Sequence, residues 1–102
     1  MASPRVRKIA DRIQVIVAEM LDRRIKDPRL GFVTVTAVRA SPDLDHATVY
    51  VSVLGSQKKR RATLAGLASS HGVLQARIAR ELRLKRTPQL TFEYDQTVER
   101  GV

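Results

Sequence analysis

The chain has 102 residues, which is enough for one ordinary domain and too few for two. Its 19 Lys and Arg residues against 10 Asp and Glu residues give a formal net charge of +9, which predicts a polyanionic partner. The absence of cysteine excludes disulfide scaffolds, thiolate metal sites and cysteine nucleophiles.

The first half of the chain predicts one helix and two strands. Apolar residues recur at three- and four-residue steps between Arg5 and Ile25, which is typical of an amphipathic helix. This helix is expected to end near Lys26, because the proline at 28 disfavours helical geometry in the residue before it. Two runs rich in β-branched residues, 32–40 and 47–54, predict strands joined by a hairpin loop of turn-forming residues.

The second half predicts a basic connection, an interrupted helix and a third strand. Residues 55–61 are polar and strongly basic, and we expect a loop there. A helix over 64–84 is interrupted at 69–72 by weak helix formers, which predicts a kink or break. Pro88 ends the helix, and the alternation that follows predicts a strand carrying Leu90, Phe92 and Tyr94 on one side. The order of elements indicates an α+β domain over residues 1–102.

The densest charge in the chain is the run of Lys58, Lys59, Arg60 and Arg61. Four like charges in a loop repel one another unless a polyanion or counterions neutralise them, so the run predicts contact with nucleic acid. The alternatives are a solvated loop or, in a eukaryotic source, a nuclear import signal.

More cations are predicted on the outer face of the interrupted helix. At about 100° per residue, Arg80 lies opposite the apolar stripe and Arg77 and Arg83 flank it, which predicts a positive outward face. Lys85 and Arg86 extend this charge past the helix end. The helix dipole also favours cations there, so for these two residues a structural role explains their position equally well.

The beginnings of two predicted helices complete the candidate surface. The first helix begins with three cations, although the dipole disfavours positive charge there. This unfavourable placement indicates a functional role for Arg5, Arg7 and Lys8. Gly72, with Ser70 and His71 beside it, lies where a glycine between helical pieces allows close approach of a phosphate backbone to free N–H groups. A glycine that serves only the kink is the simpler alternative.

The residue pattern favours neither catalysis nor a membrane. Asp43, Asp45 and His46 fall among ordinary turn residues without a further ligand cluster, and His71 has no nucleophile or orienting carboxylate nearby in sequence. We therefore expect a protein that is not an enzyme and that binds neither a metal nor a cofactor. The basic start leads into an amphipathic pattern unlike that of a signal peptide, and no long apolar run follows, so we expect a cytoplasmic protein without a membrane partner.

Several segments, in the same order and over nearly the whole chain, resemble the ribosome-binding factor A family: Ile25–Thr36, Ser41–Leu44, Ala47–Gly55 and Leu82–Asp95. The resemblance implies a type II K-homology-like fold, with helices on one face of a three-stranded sheet. K-homology domains usually grip nucleic acid with a Gly-x-x-Gly loop. This family resembles them with an Ala-x-Gly helix kink instead. The corresponding triplet here is Ser70-His71-Gly72, in which serine replaces the alanine, and Gln75 stands where the family commonly carries arginine.

The function implied by the resemblance is late maturation of the small ribosomal subunit, including the 5′ region of its 16S rRNA, with support of growth in the cold. The partners implied are small-subunit rRNA and the free 30S subunit. We expect a monomer, with an assembly GTPase as a candidate further partner and without the longer tail that relatives carry after the third strand. Two other hypotheses stay open: a general nucleic-acid-binding or RNA-chaperone module, and a protein-interaction module with an acidic partner.

Overall fold

The computed structural model describes residues 3–23, 25 and 27–99, and of Val98 and Glu99 only the backbone. Within these residues the elements are α1 (Pro4–Arg23), β1 (Val33–Ala40), β2 (His46–Val53), α2 (Gln57–Ser69), α3 (His71–Leu82), β3 (Gln89–Tyr94) and the short helix α4 (Gln96–Glu99). The predicted order of elements is confirmed through β3, and α4 was not predicted. Lys26, near which the first helix was expected to end, lies outside the described residues, whereas α1 is described as far as Arg23 and Ile25 is not helical.

The three strands form one sheet in the order β1-β2-β3. The hairpin pairs β1 with β2 antiparallel, with an irregularity between Val35 and Ala37, whereas β3 pairs with β2 in parallel. Parallel neighbours require a crossover connection, and α2 and α3 supply it. This topology leaves β1 as one edge of the sheet and β3 as the other.

The core lies between the helices and one face of the sheet. The predicted alternation of β2 is confirmed: its buried side consists of Ala47, Val49, Val51 and Val53, and the residues between them face the other side. Against this face pack fully buried side chains of the helices, among them Ile13, Val17, Leu67, Leu74 and Ile78. Burial of such a side chain stabilises the fold by about 1.5–3 kcal/mol. The α+β architecture with helices on one face of a three-stranded sheet is therefore confirmed.

The predicted loop over 55–61 is wrong, because most of this segment is helix. Gly55, at φ 127°, ends the extended chain, and Ser56 caps α2 by accepting a hydrogen bond from the Lys59 N–H at 3.2 Å. The basic run therefore forms the first turns of a helix instead of a loop. The consecutive charges concealed the helical period, whereas the serine cap was the local signal that could have revealed it.

The predicted break in the long helix is confirmed at Ser70. This residue ends α2 and begins α3 with φ −89° and ψ 3°, and its hydroxyl donates to the Gly66 carbonyl at 3.1 Å. The side chain is buried. The kink is therefore fixed by a serine that folds back on the preceding turn.

Candidate nucleic-acid interface

The beginning of α2 presents a compact group of cations, the α2-start cluster, made of the exposed Lys58, Lys59 and Arg61. Arg60 of the same run is half-buried, and its guanidinium lies 3.8 Å from the centroid of the Tyr94 ring. A cation over an aromatic face contributes about 0.5–2 kcal/mol, so Arg60 helps to hold α2 on β3. Its contact with RNA stays a prediction.

The α2-start cluster lies against the turn that precedes β1. The stem of Lys59 covers Gly31 and Gly55 so closely that a Cβ at Gly31 would lie 2.7 Å from the lysine Cε. The hydroxyl of Thr63 accepts the Gly31 N–H at 3.2 Å and donates to the Lys59 carbonyl at 2.8 Å. These bonds fix the turn beside the cations, and no sequence pattern predicted them.

That turn is also held by an ion pair within it. Asp27 Oδ2 lies 2.6 Å from Arg29 Nη2, and Asp27 Oδ1 accepts from both the Arg29 side chain and the Arg29 N–H. These hydrogen bonds from Arg29 lower the pKa of Asp27 from 3.8 to about 2. Arg29 therefore serves the turn, in addition to any contact with a ligand.

A second group of cations, the hairpin-end cluster, consists of Arg5, Lys85 and Arg86. It surrounds the β1–β2 loop in a cleft of about 280 Å³ that also includes Leu44 and Asp45. Arg86 Nη1 lies 3.6 Å from Asp45 Oδ1, but the arginine side chain is 81% exposed, so this ion pair is weak. The structure thus brings together cations from α1 and from the connection before β3. Arg7 and Lys8 lie exposed in the first turns of α1, close to Arg5 in sequence.

The outward face of α3 is less positive than predicted. Arg80 is exposed on the side away from the buried Leu74 and Ile78, as expected. Arg77 Nη1, however, lies 3.3 Å from Glu81, which also binds Arg12 of α1 at 3.4 Å. The acidic residue reduces the positive charge of this face. Arg83, the left-handed residue that ends α3, is exposed beyond it.

The three residues of the kink have different surroundings. Ser70 is buried, and His71 Nε2 lies 3.0 Å from the Leu90 carbonyl and 3.1 Å from the Gln89 side-chain amide. Gly72 is exposed, and a Cβ placed there would meet nothing within 4 Å. Ser70 and His71 therefore connect the kink to the rest of the fold, and Gly72 is the exposed residue of the three.

Gln75 has a structural role that sequence analysis did not predict. Its side-chain amide donates to the Pro88 carbonyl at 2.6 Å, and its oxygen accepts the Leu90 N–H at 3.1 Å. The pair of bonds joins α3 to the start of β3 as a neighbouring strand would. A signal for this role is absent from the local sequence, because both partners lie beyond the end of the helix.

The predicted basic residues therefore form two clusters and not one continuous stripe. The hairpin-end cluster lies where β2 begins, and the α2-start cluster follows the end of β2. A strand of eight residues spans roughly 25 Å at about 3.3 Å per residue, and the clusters are separated on this scale. Arg77 and Arg80 on α3, and Arg83 just after its end, belong to neither cluster.

Within the described ranges, no group of three or more His, Asp or Glu side chains has an arrangement that could hold a metal ion. In the same part of the chain, each helix is too short or too polar to cross a membrane.

Comparison with known proteins gives consistent matches. The model of the family described as ribosome-binding factor A matches residues 5–102. The ribosome-binding factor A of Kineococcus radiotolerans is 48% identical over 97% of this chain and 58% of its own length, and that of Acidothermus cellulolyticus is 54% identical over 89% and 61%. The chain thus spans about three-fifths of the length of these relatives.

Solved structures agree with the sequence matches. The crystal structure of ribosome-binding factor A from Thermus thermophilus superposes with a TM-score of 0.76 at 31% identity, covering 85% of this chain and 91% of that one. A homology model of the Thermus thermophilus factor, fitted into a cryo-electron microscopy map of a complex with the 30S subunit, superposes with a TM-score of 0.70 at 31% identity, with the same coverage. The predicted type II K-homology-like fold is confirmed by these neighbours.

Proposed function

The chain belongs to the ribosome-binding factor A family, and from this membership we propose that it is a non-catalytic cytoplasmic assembly factor for the small ribosomal subunit. It binds small-subunit rRNA in the free 30S subunit as a monomer. It assists the late maturation of 16S rRNA, including its 5′ end, which matters most for growth in the cold. An assembly GTPase is the proposed partner for its release.

The observation that carries this proposal is the α2-start cluster. Three exposed cations occupy the beginning of a helix, where the dipole disfavours each of them by about 0.3–1 kcal/mol. A bound phosphate group reverses this penalty, because the helix N–H groups and the side-chain cations then interact with the same anion. The placement is unfavourable for the free protein and favourable for its complex with RNA.

Two separated clusters also suggest how the protein acts on rRNA. Phosphate contacts supply affinity without reading sequence, whereas the shape of a folded RNA surface supplies specificity. Clusters at the two ends of an eight-residue strand are both neutralised when one folded RNA surface presents phosphates to each of them. The protein therefore stabilises one local conformation of the immature subunit while the rRNA matures.

Sedimentation of a cell extract at moderate salt tests the proposal. We expect the protein to sediment with free 30S subunits, and more of it when immature subunits accumulate. Sedimentation only with translating ribosomes, or in the soluble fraction under all conditions, would contradict the proposal.

The charge of +9 also favours a second candidate function, a general nucleic-acid-binding or RNA-chaperone module. This candidate predicts similar affinities for DNA, unstructured RNA and 30S subunits at matched salt. Competition among the three ligands decides between the candidates, because a large preference for the subunit excludes a general binder.

A further inference from the structure

Two large apolar side chains lie exposed at the end of the sheet that adjoins α2. Phe32 is 74% exposed and Leu54 is 76% exposed, although both flank strands whose inward side chains are buried. The Leu54 N–H donates to the Phe32 carbonyl at 3.2 Å, so the two residues are neighbours across the hairpin. Single exposed apolar residues are ordinary, whereas a neighbouring aromatic and aliphatic pair offers a continuous apolar surface to a ligand.

The pair adjoins the α2-start cluster. Gly31 and Gly55, each next in the chain to one of the exposed residues, are both covered by the stem of Lys59. The same lysine therefore lies against the two residues that adjoin Phe32 and Leu54 in the chain. An aromatic side chain in water with a lysine beside it offers a surface for a base and a charge for a phosphate, the two halves of a nucleotide.

The backbone that carries Phe32 is fixed. The N–H of Gly31 is bound by the buried hydroxyl of Thr63, and the carbonyl of Phe32 accepts the Leu54 N–H. A ring exposed on a fixed backbone needs little ordering when a ligand binds, so more of the interaction energy remains as affinity.

We propose that Phe32, with Leu54 beside it, is a stacking platform for an unpaired base of RNA whose phosphates lie on the α2-start cluster. This inference deepens the proposed function and rests on it. Aromatic residues beside cations are the usual means by which proteins hold single-stranded nucleic acid. The platform lies at the opposite end of α2 from the Ser70–Gly72 kink, roughly 20 Å away along a helix of 13 residues.

Charge also determines the side from which the RNA approaches. On its other side Phe32 borders a groove between α1 and β1 whose lining includes Glu19 and Asp22 as well as Arg23. The carboxylates there repel phosphates, whereas the α2 side carries Lys58, Lys59 and Arg61. The bound strand therefore runs from the platform toward α2 and not into the groove.

The chain contains no tryptophan, so Phe32→Trp provides a single fluorescent reporter at the platform. We expect a short single-stranded RNA of mixed sequence to quench its emission, because the base stacks on the indole, and an RNA duplex of the same length to quench it much less. Binding of the single strand without quenching would overturn the proposal.

Affinity for immature 30S subunits supplies the second test. We expect Phe32→Ala and Phe32→Leu to weaken binding roughly 5- to 150-fold, as loss of one stacked base does, and Phe32→Trp to retain wild-type affinity. The salt dependence should not change, because no charge is removed. Val15→Ala is the matched control, since Val15 is 54% exposed on α1 and lines the α1–β1 groove that the bound strand avoids; this variant should bind like the wild type.

The outcomes separate the inference from the function it rests on. If the Phe32→Ala variant binds subunits with wild-type affinity, the platform is overturned and the proposed function remains intact. Weakened binding of Phe32→Ala to subunits, with Phe32→Trp unquenched by RNA, also overturns it, because the platform then contacts a protein. Failure of the wild type to bind subunits contradicts the function, while quenching by single-stranded RNA still supports the platform.

Discussion

Thr63 is a fully buried residue whose hydroxyl joins α2 to the turn before β1. Thr63→Val keeps the shape of the side chain and leaves the partly buried N–H of Gly31 without its acceptor. We expect the free energy of unfolding, measured in urea, to fall by about 1–3 kcal/mol. Thr91→Val, on the exposed face of β3, is the control and should change it by less than about 0.5 kcal/mol. Equal effects of the two substitutions would show that the Thr63 bonds are unimportant.

Asp27 supplies a prediction about pH. Its pKa in the folded protein is lowered from 3.8 to about 2 by the hydrogen bonds from Arg29. A lowered pKa means that the carboxylate contributes to stability above the unfolded value and that this contribution is lost as the pH falls through about 2. In Arg29→Ala we expect a carboxyl titration followed by NMR to show the pKa of Asp27 returning toward 3.8.

Asp43 is the internal control for that titration. Its pKa is lowered by hydrogen bonds from Ser41 and from the Asp45 N–H, which Arg29→Ala does not touch. The titration of Asp43 should therefore stay the same in the variant. An unchanged titration of Asp27 would mean that Arg29 does not set its pKa.

At the scale of elements, a substitution at Gly72 distinguishes a role in the helix kink from a contact with RNA. Because a Cβ there meets nothing within 4 Å, Gly72→Ala should add roughly 0.5–1 kcal/mol to the free energy of unfolding by favouring the helix. If a phosphate backbone approaches this glycine, the same variant binds 30S subunits more weakly even though it is more stable. Thermal unfolding and subunit binding, measured on one preparation, check both effects.

Ala76→Gly on the exposed side of α3 is the reciprocal control. This variant should lose stability by a similar amount and keep its affinity for subunits. Wild-type affinity in Gly72→Ala would show that the glycine serves the kink alone.

The same elements show what the sequence can predict. Periodic burial is local information, so the alternation of β2 and the buried stripe of α3 were predicted correctly. The beginning of α2 has the sequence pattern of a loop, because its first turns bury little and carry charge. The bonds of His71 and Gln75 to residues near β3 were not predictable, since they depend on how a distant strand packs.

Candidate site residues show the same division between local and distant information. The exposure of Arg80 follows from its predicted position on a helix, whereas Lys58 and Lys59 are exposed on a helix that the sequence did not predict. The ion pair between Arg77 and Glu81 is also predictable from the sequence, because residues four apart on a helix are neighbours, although it is absent from the predictions above. The association of Arg5 with Lys85 and Arg86 required the fold, because about 80 residues separate them.

At the scale of the whole molecule, the two basic clusters make a prediction about salt. Removal of one phosphate contact flattens the plot of log binding constant against log salt by about 0.7–0.9. Lys58→Ala/Lys59→Ala/Arg61→Ala and Arg5→Ala/Lys85→Ala should each flatten the slope for 30S binding. Their combination should flatten it by the sum, because sites this far apart act independently. Arg39→Ala removes an exposed cation of the sheet that belongs to neither cluster, and its slope should match that of the wild type. An unchanged slope in both cluster variants would instead favour an acidic protein partner.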